Sequence, residues 1–188
     1  MSRMVGMKLL LAVLLVAAAS AQVAVPLPTS NATVDPSALP STTVGVGGSW
    51  TRGDANAVSS DVNVGLHIGT GNWYSWSTIS TPVAHVAAGS PALVSTFQTG
   101  GAYVAAQSAS KRVSLVTIVQ FGFTSVQGSS TVAPAFSGSL ATPIKLWATR
   151  WYFTPYLKVG NATLTSAGSV ASGILQPGAM FIYGFGGK

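Results

Sequence analysis

Ser59, Asp61 and His67 supply a hydroxyl, a carboxylate and an imidazole in one short stretch, all at odd positions. Residues of that kind can run acyl transfer: the hydroxyl attacks, the imidazole takes its proton and the carboxylate orients the imidazole. Their spacing argues against it. A strand turns successive side chains to opposite faces and rises ~3.3 Å per residue, so the six positions from Asp61 to His67 span roughly 20 Å. The groups share a face but cannot touch along one strand. The reading that suits them is a polar cluster inside a sheet-built fold, with Asp61, Asn63, His67 and Gln120 as members and partners supplied across the sheet.

Other chemistries have less to draw on. The histidines are His67 and His85, cysteine is absent, and the carboxylates are Asp35, Asp54 and Asp61. A structural zinc site needs four close ligands, so no metal site and no cofactor is expected. The glycine-rich pieces lack the Lys-Ser/Thr ending of a phosphate loop. Arg52-Gly53-Asp54 has the form of an integrin-recognition triplet, but Asp54 and Asn56 make an ordinary turn there. Asn31-Ala32-Thr33 and Asn161-Ala162-Thr163 match the glycosylation acceptor pattern, which matters only in a eukaryotic secretory context.

The element that must position the polar residues is the run from Val58 to Ile68. Val58, Val62, Val64, Leu66 and Ile68 share one parity, broken only by Ser60, while Ser59, Asp61, Asn63, Gly65 and His67 share the other. This is a strand with an apolar face and a small, polar face. Two environments suit it: a membrane barrel, where lipid takes the apolar side, or a soluble sheet whose apolar side meets a core.

Composition favours the first. The 188 residues are 48% hydrophobic and only 6% charged, against about 25% charged in a typical soluble domain. The opening MSRMVGMKLLLAVLLVAAASAQ joins a basic start to an apolar run and ends in Ala19-Ser20-Ala21, the small-x-small form of a signal cleavage site. Residues 1–21 are therefore expected to be a signal peptide. Without them seven basic and three acidic side chains remain, a formal +4. Only Lys111 and Arg112 are adjacent, so no nucleic-acid surface is expected. The absence of cysteine leaves an exported fold without disulfides, and closing a barrel removes exposed edges without them.

Residues 22–42 carry Pro26, Pro28, Pro36 and Pro40 among Ser, Thr and Asn and read as an extended leader. Whether it crosses a periplasm, plugs a lumen or simply precedes the first strand is open. Strands are expected at Thr43–Arg52, Val58–Ile68, Asn72–Thr81, Ala92–Ala105, Val113–Thr124 and Val132–Ala141. A seventh segment begins at Ile144, with Pro155 arguing against one uninterrupted strand, and an eighth runs from Val170 to Phe185. In Val113–Thr124 the second face includes Val116 and Ile118 beside Gln120, which suits a filled interior better than an open channel.

An export signal, few charges, no cysteine and the aromatic ending YGFGGK together resemble the small outer-membrane β-barrels of diderm bacteria, over residues 43 to 188. The resemblance implies an all-β, antiparallel up-and-down transmembrane β-barrel of eight strands in the outer membrane, in contact with its lipid. It also implies a non-enzymatic structural role, or binding of an extracellular or envelope partner through the longer loops. The alternatives are a secreted β-sandwich that binds carbohydrate or protein, with Trp73, Trp76, Trp147 and Trp151 as core or platform, and a narrow porin.

Overall fold

The structure, a computed structural model, describes residues 34–51, 57–85, 94–126, 132–147, 149–161 and 174–186. The expected signal peptide and most of the leader lie outside them. The strands are β1 (Thr42–Thr51), β2 (Ala57–Ile68), β3 (Trp73–His85), β4 (Val94–Gln107), β5 (Ser114–Val126), β6 (Val132–Ala141), the two-residue β7 (Ile144–Lys145), β8 (Trp151–Asn161) and β9 (Ile174–Phe185). Each long strand pairs antiparallel with its neighbours, β1 pairs with β9, and β6 pairs with β8. The result is one closed ring of eight strands, with β7 a short addition beside β8. It is not the two-sheet sandwich of the alternative reading.

Register sets the tilt. The row of paired residues that starts at Thr43 runs through Gly65, Trp76, Gly100, Gln120, Ser137 and Gly160 to Ile174. Ile174 lies four residues before Gly178, which pairs with Ser49. Carried along the β1–β9 register, the row closes with a stagger of ten residues. With ~3.3 Å per residue and strands ~4.8 Å apart, that stagger tilts the strands by about 40°, in the usual range for barrels.

Four prolines fall inside strands, and each stands just past the point where regular pairing with one neighbouring strand stops. Pro82 follows the last β3–β4 pair, Ser80 with Thr96; Pro134 precedes the first β6–β8 pair, Phe136 with Asn161. Pro155 follows the last β6–β8 pair, Ala141 with Tyr156, and Pro177 precedes the first β1–β9 pair, Gly178 with Ser49. A missing N–H costs the ladder least at such margins. β8 runs on through Pro155, which stays paired with Ala179 and whose carbonyl accepts from the Thr142 amide at 3.0 Å, contrary to the expected interruption.

Burial is reversed relative to a soluble protein. Val44, Val46, Val62, Val64, Leu66 and Ile68 face outward, as do Val119, at 69% exposure, Phe121 and Phe123. Asp61 and Asn63 are buried to 2% and 1%, together with Gln98, Gln120, Thr124 and Thr154. Within the outer band, Ser77 and Thr99 hydrogen-bond each other at 3.0 Å, so that neither hydroxyl needs water. Near the end where β1 begins and β9 finishes, Trp73 packs on Tyr103 and Trp151 on Tyr183, with ring centroids 4.8 and 5.0 Å apart. Phe97, Phe123 and Phe136 lie toward the opposite end. The exterior is thus an apolar band with aromatic rings at its border, the pattern that membrane-spanning barrels present to lipid.

Candidate functional site: a capped lumen

The lumen is graded along its length. Nearest the terminal end, Tyr74, Val104, Val116 and Ile182 point inward, followed by Trp76, Ala102, Ile118, Ala141 and Met180. Beyond them the lining turns polar, with Asp61, Gln120, Ser139 and Lys158. A narrow barrel can hold rings this large only where facing positions are small. Gly65 pairs with Trp76, and a Cβ on it would stand 2.7 Å from the indole ring. A Cβ on Gly45 would come within 2.6 Å of Asn63 Oδ1 and 2.9 Å of Ile182 Cγ1.

Three of the four residues singled out from sequence are buried inside the barrel, each with partners of its own. The Asp61 carboxylate accepts hydrogen bonds from the Ser80 hydroxyl and the Tyr156 phenol, and Lys158 is close enough for its charge to act on Asp61. Two donors and a nearby cation replace the water that a buried carboxylate loses. Gln120 Nε2 reaches Thr78 Oγ1 at 3.1 Å, and the Trp76 and Gln98 carbonyls at 3.4 Å each. Asn63 Nδ2 donates to Met180 Sδ. His67 is elsewhere: its ring caps the Gly69–Asn72 turn, with Nε2 2.6 Å from the Gly71 carbonyl, and stacks 5.0 Å from Tyr74. Imidazole and carboxylate are thus engaged separately. Among the described residues no three His, Cys, Asp or Glu side chains gather as a metal site would require.

The leader's last residues fold over part of the terminal end. Val34 and Leu39 are buried against the apolar layer. Tyr74 Oη donates to the Pro40 carbonyl at 2.7 Å, and Ser41 Oγ to the Phe185 carbonyl at 2.9 Å. Between them Pro36–Ala38 forms a single 3-10 turn, capped by Asp35, which accepts from the Ser37 amide and hydroxyl at 3.0 and 2.7 Å. Asp35 also receives Lys111 Nζ at 2.6 Å. The lysine and the Ser37 donors hold its carboxyl at about 2, below the usual 3.8. Of the leader's three sequence options, residues 34–41 take the plug. The Asp-Pro-Ser sequence, an N-cap followed by proline at the first helical position, was the available signal.

Between cap and polar layer lies a cavity of about 420 Å³. Its mouth at the terminal end carries Lys111, Arg112, Lys145 and Trp147, from the β4–β5 turn and the β6–β8 connection. The Lys145 amide donates to the Arg112 carbonyl at 2.7 Å, which sets those two cations side by side. Arg112 and Lys145 stand 33 positions apart in sequence, which by itself does not place them at one opening.

No family model matches the chain, and no curated protein matches its sequence. Among solved structures, it is similar to the outer membrane protein Ail of Yersinia pestis, determined in a phospholipid bilayer nanodisc. The identity is 10%, with 77% of this chain and 99% of that chain covered and a TM-score of 0.47.

Proposed function

We propose that the chain is a non-enzymatic protein of an outer membrane, a closed barrel with a structural role. In this reading its longer connections, which lie outside the described residues, meet an envelope or extracellular partner. The observation that carries it is the reversed burial: an apolar outer band around an interior that holds Asp61, Asn63, Gln98, Gln120, Thr124 and Thr154. In water such a band would leave Val119, Phe121 and Phe123 and their neighbours as an exposed patch far beyond what monomeric soluble proteins tolerate. Hydrocarbon removes that penalty, and closure leaves no unpaired strand edge within it. Asp61 is engaged by Ser80 and Tyr156 and His67 by the turn, so the polar groups act as internal ties rather than as a reacting pair.

The deciding experiment joins membrane fractionation to heat-modifiable gel migration. The protein is expected in the outer-membrane fraction, with folded and boiled forms migrating differently. A detergent-free soluble monomer would overturn the reading.

A further inference from the structure

We propose that the lumen binds one medium-chain carboxylate, its anion held by Arg112 and Lys145 and its hydrocarbon tail lying against Leu39, Trp76, Ile118 and Met180. The proposal rests on the closed barrel and not on where the barrel resides. The cavity has the volume of a small-ligand site, about 300 Å³ or more. Its chemistry is split along its length in the manner of a single-chain amphiphile. Cations ring the opening, two apolar layers follow, and hydrogen-bonding groups close the far side at Asp61, Gln120 and Lys158.

Charge fixes the sign of the head group. Among the described residues the carboxylates are Asp35 and Asp61. The first is bound by Lys111, while the second is buried beyond the apolar layers with Ser80 and Tyr156. Arg112 and Lys145 therefore face the mouth together, with no described carboxylate in an ion pair with either. An arginine fork and a neighbouring ammonium suit a carboxylate better than a neutral or cationic head. The depth sets the tail. The polar layer at Asp61 and Gln120 halts hydrocarbon, so a chain of about ten carbons fits where a much longer one would force methylenes against buried polar groups.

The test is a titration of the full mature chain in zwitterionic nanodiscs with sodium decanoate, followed by methyl NMR. Saturable shifts are expected at the inward methyls of Val104, Val116, Ile118 and Ile182. Decyltrimethylammonium, with the same tail and the opposite charge, should not produce them. Octanoate should bind roughly tenfold more weakly, for two lost methylenes. The double variant Arg112→Ser/Lys145→Ser should lose tenfold or more while keeping its heat-modifiable migration. Ile118→Trp, which fills the cavity, should abolish the shifts. The proposal is overturned if decanoate perturbs only the outward methyls of Val62, Val64 and Val119, if the cationic amphiphile acts equally, or if the double variant binds as the parent does. None of these outcomes would alter the fractionation result.

Discussion

The Tyr156 hydroxyl donates to the Asp61 carboxylate from a strand ninety-five positions away, tying β8 to β2 across the lumen. Ser80 on β3 completes the tie. A bond of this kind does little in water, but Asp61 is only 2% exposed, and burial shields the pair from solvent competition.

Removing the phenol hydroxyl should therefore destabilise more than a surface change would. Tyr156→Phe leaves Asp61 with one donor fewer and is expected to cost about 1–3 kcal/mol. Asp61→Leu should cost more than Tyr156→Phe, because two hydroxyls are then stranded. Urea unfolding midpoints of the refolded barrel, read by gel migration, measure both. Equal stability of all three proteins would contradict the assigned interior network.

The outer band makes an opposite demand. Val119→Arg places a cation in the apolar belt and should cost about 2–4 kcal/mol if it lies near the bilayer midplane. Single cysteines at Val119 and at the inward Ala102, introduced as Val119→Cys and Ala102→Cys, should separate under lipid-borne quenchers attached to a cysteine-bound dye. Quenching is expected for the first site and not the second.

Docking of the cap should respond to acid in a defined window. Asp35 titrates at about 2 when bound to Lys111 and at 3.8 when free. Because the docked value is the lower one, this contribution is fully present above pH 4 and is lost as pH falls from about 4 through 2. The methyl NMR signals of the buried Leu39 should report release over that range, and also on adding salt, since both partners of the ion pair are partly exposed. Lys111→Ala should weaken the acid response, the Ser37 donors keeping part of it, while Leu39 still holds part of the segment.

Crowding in the narrow lumen gives a coupled pair. Gly45→Ala should destabilise the barrel by about 1–3 kcal/mol, because its methyl meets the Asn63 amide. Adding Asn63→Ala should recover part of that loss, a non-additivity that a double-mutant cycle measures.

Much of this architecture was readable in advance because alternation is a local property. Val62, Val64, Leu66 and Ile68 announce their face without reference to any other strand, and the same holds for Val119, Phe121 and Phe123. Strand ends were less legible. β3 continues four residues past the expected Thr81, and β4 two past Ala105, because pairing with a neighbour and not local composition decides where a strand stops. His67 shows the other limit: parity put it with Asp61 and Asn63, but its position at the strand's end lets the ring turn back to the Gly71 carbonyl. The cap on the lumen and the grouping of Arg112 with Lys145 depend on closure, which no single segment encodes.

The prolines at the staggered strand ends also bear on assembly. Before the barrel has closed, each overhang is a ragged edge to which a second chain could attach by main-chain pairing. A ring nitrogen at Pro82, Pro134, Pro155 and Pro177 denies an incoming strand one of the donors it would need. These positions discourage the half-built sheet from recruiting its neighbours in place of its own last strand.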